Sequence, residues 1–121
     1  MTSDLIRLLG VSCRCKVGVP PAERRRRQAI LIDAALETDA APAAARDDFR
    51  RAVDYQAVEA AIRAEAESRE YALIETMAER VAAAVLRTQP LVSAVTVAVR
   101  KSPAAMPKTR EVVVEIRRKR A

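Results

Sequence analysis

The segment "VSCRCKVGV" sets Val11, Cys13, Cys15, Val17 and Val19 at every second position, with Ser12, Arg14, Lys16 and Gly18 between them. A period of two is what a strand with one buried face requires; a helix would scatter the same residues around its circumference. Two more segments carry this period, and a fourth strand is read after them. In "QAILIDAALETD" (28–39) Ile30, Ile32, Ala34 and Leu36 share a side, and in "VSAVTVAVRK" (92–101) Val95, Val97 and Val99 do so. "REVVVEIRRK" (110–119) is the last. The first strand is expected to begin near Leu5, and "PPAERRRR" to form a polar turn closing the first hairpin.

Between the two hairpins the period changes. "DYQAVEAAIRAEAESRE" (54–70) reads as a helix with Asp54 as its N-cap and Tyr55, Val58 and Ile62 on one face. In "ALIETMAERVAAAVL", Leu73, Ile74, Met77, Val81 and Val85 form an apolar stripe, which predicts a second helix over roughly 72–88, closed by Pro90. Residues 40–53, with Pro42 and no clean period, read as a connection with a short helical turn, and 102–109 as a Pro-containing loop. The order is ββααββ: an α+β, two-layer sandwich of a four-stranded antiparallel sheet and two helices. Its other sheet face carries small or mixed residues (Ala94, Thr96, Ala98), and its outer strands are open edges. Joining sheets with neighbouring subunits would cover both, so a homo-oligomer is expected.

A length of 121 residues, half of them hydrophobic, suits a single domain spanning 1–121 with one core. No apolar run approaches the ~20 residues of a membrane span, and "MTSDLIRLL" lacks the pattern of a signal peptide. A soluble, cytoplasmic protein with no membrane partner is the expectation. Cys13 and Cys15, two apart on one strand, are expected to be buried free thiols.

Histidine is absent from the sequence. That removes the usual zinc ligands, the serine–histidine and cysteine–histidine dyads and the commonest general base. No metal or other cofactor is expected, and chemistry must run on Lys, Tyr, Asp, Glu or Arg. The net charge of +6 comes from 22 basic against 16 acidic residues, with basic runs at 23–28 and 117–120. Three aromatic residues are too few for a base-stacking surface. The runs read as solvated turn and tail charges rather than a nucleic-acid interface, with a small phosphorylated or anionic ligand left open.

Four polar residues fall where elements end, the places where sites are usually built: Glu23 after the first strand, Tyr55 and Glu75 opening the helices, and Lys101 ending the third strand. Each has an ordinary structural explanation alone; Glu75, for instance, meets the positive end of its helix dipole. Their surroundings are more specific. "VGVPPAERRRRQ", "DDFRRAVDYQAV", "ALIETMAERVAAAVL" and "VAVRKSPAAMP…VVVEIRR" together resemble the dihydroneopterin aldolase family, over nearly the whole length and in order. Two departures stand out. Lys101 is followed by Ser102 before Pro103, and "KTRE" replaces the glycine common after that loop.

The resemblance implies a tunnelling fold, in which subunits join their sheets into a β-barrel as a tetramer or octamer with active sites between adjacent subunits. It implies a small-molecule pterin substrate and a retro-aldol reaction without metal or Schiff base. Lys101, Tyr55 and Glu23 would take the catalytic positions, with Tyr55 supplied by the neighbouring subunit. Glu75 would anchor the pterin, with the backbone of Leu73 and Ile74 and the wall at Val19 and Val53 completing the slot. An epimerase of dihydroneopterin or its triphosphate on the same fold is the alternative. A non-catalytic basic binding protein is the reading from outside enzymology.

Overall fold

The computed structural model describes residues 4–121. Strands β1 (Asp4–Val17), β2 (Arg27–Thr38), β4 (Ala94–Lys101) and β5 (Val112–Lys119) are those expected from the alternation. The expected antiparallel sheet of four gains a fifth member. β3 (Glu70–Tyr71) runs parallel to the end of β1, and the order across the sheet is β3-β1-β2-β4-β5. Two residues are too short to show a period. Tertiary bonds hold them there instead, among them Gly18 N–H to the Tyr71 carbonyl at 2.9 Å.

Helices α3 (Tyr55–Glu67) and α4 (Ile74–Thr88) cover one face of the sheet, α3 over β1 and α4 over β4 and β5. Asp54 caps α3 as expected, its carboxylate accepting from Ala57 N–H at 3.1 Å. The polar turn after β1 proves to be one turn of helix, α1 (Pro21–Arg24), because Pro21 at N1 presets the helical φ. The connection contains α2 (Ala41–Arg46) and a 3-10 turn at Phe49–Arg51, separated by Asp47 in the left-handed region (φ 51°).

The core lies between the layers. Val11, Cys13, Cys15, Val17, Ile30, Ile32, Leu36, Val95, Val97 and Val99 meet Val58, Ile62, Met77, Val81 and Val85, all buried. Both cysteines are free, and the hydrogen bond to Cys13 together with burial pushes the Cys15 thiol far up. Tyr55 does not join Val58 and Ile62 in the core; at N1 of α3 it is 58% exposed. Among the described residues no helix is long and apolar enough to cross a membrane.

β1 contains a bulge. Leu8 pairs with Ala34 and Val11 with Ile32, so β1 has one more residue than β2 in this interval. Gly10 takes φ +72°, and its N–H donates to Asp33 Oδ1 at 2.7 Å. Asp33 also accepts from Arg100 at 3.0 Å, and the other Arg100 Nη lies 3.7 Å from Glu111. The run at 117–120 is not a solvated tail. Arg117 forks onto Glu37 at 2.7 and 2.9 Å and holds that carboxyl below its usual range. Arg118 pairs with Glu79, and Arg120 donates to the carbonyls of Gln89 and Val92.

Tyr71 anchors the β3–α4 junction: its hydroxyl lies 3.0 Å from the Glu65 carboxylate and 3.1 Å from the Glu65 carbonyl. Burial, then the Glu65 carboxylate, push its pKa up to about 12. The unfolded phenol ionises near ~10, so the folded state holds the proton more tightly. This stabilisation is complete below about pH 10 and fades as pH rises from about 10 towards 12. Tyr71→Phe is expected to lower stability at pH 7 by about 1 kcal/mol and to flatten the alkaline limb in urea melts at pH 9 to 12. Gly10→Ala meets nothing closer than Arg100 Nη2 at 3.7 Å, so its cost is backbone strain alone. A loss of about 1–2 kcal/mol is expected, read as a lower urea midpoint at unchanged m.

Candidate active site

Lys101 ends β4, and its ammonium pairs with the Glu23 carboxylate on α1. The pair is partly sheltered, with 14% and 32% of the two side chains exposed. Its alignment depends on Gly18. A Cβ there would stand 2.6 Å from Glu23 Cγ and Cδ and 2.9 Å from Glu23 Cβ, so any larger residue at 18 must displace the Glu23 side chain. Arg24 locks the same turn, donating to the carbonyls of Gly18 and Val19 at 3.0 Å each. Gln28 closes it from the other side, Nε2 donating to the Val17 carbonyl at 2.7 Å.

Lys101 opens onto a cleft of ≈ 170 Å³. Val19, Leu73, Ile74 and Glu75 share it, with Pro103 and Val112 as further walls. The alternation predicts that Val19 continues the inward side of the strand. Instead β1 ends at Val17, and Val19 lies 66% exposed on the turn, which makes it available as a wall. Glu75 sits in the first turn of α4, whose N-cap residue Leu73 offers no polar group to cap it. The first-turn N–H groups therefore have no intrahelical partner and share the cleft end of the helix with the carboxylate. The cleft offers apolar walls, a carboxylate, open backbone polar groups and, at its edge, an ammonium–carboxylate pair.

Six of the eight expected site residues thus gather at one end of the protomer: Glu23, Lys101, Glu75, Leu73, Ile74 and Val19. Tyr55 and Val53 do not. They line a separate depression of ≈ 560 Å³ with Phe49, Asp54 and Gln56, in which Val53 is buried. The helices are antiparallel, since Asp54 N–H, at the start of α3, donates to the Gln89 amide oxygen at the end of α4. From Glu75 to Gln89 is about 20 Å at ~1.5 Å per residue, and from Val11, beside Tyr55, to Val17 is again about 20 Å along β1. No tyrosine reaches across that distance.

Gly18 is missing from the expected site, although it is one of only two glycines in the sequence and follows directly on a strand. Pro103 and Val112 carry no signal of their own, being a loop proline and one of three consecutive valines.

The family model of FolB, dihydroneopterin aldolase, matches residues 6–117. A dihydroneopterin aldolase of Streptomyces coelicolor is 39% identical over 84 residues, 69% of this protein and 71% of that one. The putative FolB dihydroneopterin aldolase structure from Vibrio cholerae superposes with a TM-score of 0.91 at 27% identity, covering 99% of the present sequence and 100% of its own. The Escherichia coli dihydroneopterin aldolase, solved in complex with neopterin, gives 0.85 at 26% identity over 95% of the present sequence and 98% of its own. With its α+β architecture, its histidine-free site and the matched span, the protein belongs to the dihydroneopterin aldolase family.

Proposed function

We propose that this protein, its residues 1–121 forming one domain, cleaves 7,8-dihydroneopterin by a retro-aldol step to 6-hydroxymethyl-7,8-dihydropterin and glycolaldehyde. The observation that carries this reading is the convergence of Lys101, Glu23 and Glu75 on one cleft. The neopterin bound by the E. coli relative supports it.

Breaking the C–C bond of the substrate's side arm requires a base for a hydroxyl proton and a sink for the electron pair. The C=N bond of the dihydropterin ring, beside the reacting carbon, is the sink, so the protein has only to position and to move protons. Glu75 accepts two adjacent N–H donors from the 2-amino-4-oxopyrimidine edge, a side-by-side contact that a carboxylate fits. The backbone at Leu73 and Ile74 and the wall at Val19 hold the ring plane. Lys101, through a water molecule, takes the hydroxyl proton, with Glu23 holding the amine in place. Tyr55, next to Val53, returns a proton to the carbon. It must come from a neighbouring subunit, because its own lies about 20 Å away along the helix layer. The working form is therefore a homo-oligomer, a tetramer or octamer with joined sheets.

Incubation with 7,8-dihydroneopterin is expected to release glycolaldehyde. Accumulation of a side-arm epimer alone would mean that the cleaved pair re-closes, and recovery of unchanged substrate would sink the proposal. Lys101→Ala should lower kcat by about 10²-fold or more. Glu75→Gln should act mainly on KM, by about 10-fold or more, as expected for one charge-assisted contact. Mixed, denatured and refolded together, Lys101→Ala and Tyr55→Phe subunits should regain activity in about a quarter of the sites; no recovery would place both groups in one subunit.

Gly18→Ala tests the turn. It is expected to lower kcat by about 10-fold with less effect on KM, because it moves Glu23 and leaves Glu75 untouched. Wild-type kcat in this variant would show that the Glu23–Lys101 alignment is dispensable.

A further inference from the structure

Tyr55 is exposed, and among the described residues its phenol has no hydrogen-bond partner. No contact of its own side chain fixes it, so its aim is set by the backbone that bears it, the first turn of α3.

That turn is fastened from outside the helix. Asp54 caps it by accepting from Ala57 N–H, but the N–H of Asp54 itself has no partner within α3. In a capping box a Glu or Gln three residues on accepts from this N–H. Here the residue three on is Ala57, which has no side-chain acceptor. The acceptor comes instead from Gln89, the C-cap residue of α4, whose Oε1 takes the Asp54 N–H at 3.2 Å. One helix thus completes the cap of the other.

Gln89 is itself clamped. Its N–H donates to the Val85 carbonyl at 3.0 Å, and its carbonyl accepts from Val92 N–H at 3.1 Å and from Arg120 Nη2 at 2.8 Å. The same guanidinium donates to the carbonyl of buried Val92, from Nη2 at 2.8 Å and from Nε at 3.2 Å. Arg120 N–H adds a bond to the Ser93 carbonyl at 3.0 Å. The C-terminal segment therefore staples the end of α4, and the end of α4 fastens the start of α3. Asp54 is only half-buried, so water would satisfy its N–H nearly as well. What a bridge to a clamped residue adds is a fixed position for the turn that carries Tyr55.

We propose that Gln89 is a positioning residue for Tyr55. Because Tyr55 serves a neighbour's cleft, Gln89 acts on an active site to which its own Lys101 does not belong. The inference rests on the shared-site reading above. Glu75, the proposed ring anchor, lies about 20 Å away at the other end of α4. Loss of the Gln89 acceptor is therefore expected to slow the return of the proton and to leave ring binding alone, a change in kcat rather than KM.

The test uses refolded hybrids of Lys101→Ala and Tyr55→Phe subunits assayed with 7,8-dihydroneopterin. In a working hybrid site the Lys101→Ala subunit supplies Tyr55 and the Tyr55→Phe subunit supplies Lys101. Gln89→Met, which keeps bulk and removes the acceptor, is placed in one subunit type at a time. In the Lys101→Ala subunit it should lower the hybrid's kcat by about 5-fold or more, the effect of one lost hydrogen bond, with KM unchanged. In the Tyr55→Phe subunit it should change neither. Gln89→Glu, which keeps an acceptor, should restore most of the loss. Gln89→Asn, too short to reach Asp54, gives the same comparison if the Met variant does not refold. An equal loss from either subunit type marks a general effect on folding or assembly and overturns the inference, as does no loss from either. If the hybrid without any change at Gln89 regains no activity while wild type cleaves the substrate, the shared site falls, and this inference with it.

Discussion

The bulge in β1 sets the phase of the sheet. Its two apolar runs, Ile6 and Leu8 before the bulge and Val11, Cys13, Cys15 and Val17 after it, are out of step by one residue. In an unbroken strand one run would face away from the helices, since a single-residue slip reverses every residue's facing. The extra residue at Leu9–Gly10 puts both runs inward. The same bulge ties the sheet together. Gly10 N–H reaches Asp33 on β2, Asp33 reaches Arg100 on β4, and Arg100 reaches Glu111 just before β5. Arg100 directly precedes Lys101, so the network that registers the strands also steadies the residue next to the proposed base.

The long elements are legible because most carry a period over many residues, and β5 a run of β-branched residues. Those that leave no such trace are short and held by contacts from elsewhere. β3 has two residues, and α1 rests on a proline pair that is as ordinary in a turn as at a helix start. The bulge is hidden for a related reason. The alternation from Val11 onward shows one phase only, and the sign of an inserted residue is the change of parity between Leu8 and Val11.

Most of the candidate site is legible as a set in the residues themselves, whereas its division enters only through the family resemblance. Glu23, Lys101, Glu75, Leu73, Ile74 and Val19 meet, whereas Tyr55 and Val53 lie apart. Yet the division follows from topology. Two helices joined by a short connection are antiparallel, so residues that open each of them must sit at opposite ends of the layer. Tyr55 opens α3 and Glu75 opens α4. No repacking within the protomer brings both to one place, which is why the proposed function calls on a second copy for Tyr55.

This division also explains why the turn after β1 is built so rigidly. In the proposed shared site one half is delivered by assembly, so the resident half must already be in place when the second arrives. Long flexible residues alone would not hold it, since Lys and Glu lose substantial rotamer freedom on pairing. The protein removes that freedom through the backbone instead. Gly18 lets Glu23 approach where a Cβ would collide, its N–H is held by β3, and its carbonyl is held by Arg24. The arginine run next to the site is thus partly scaffold. Arg24 fastens the turn through the carbonyls of Gly18 and Val19, and Arg27 ties its far end to β1 through the carbonyl of Arg14.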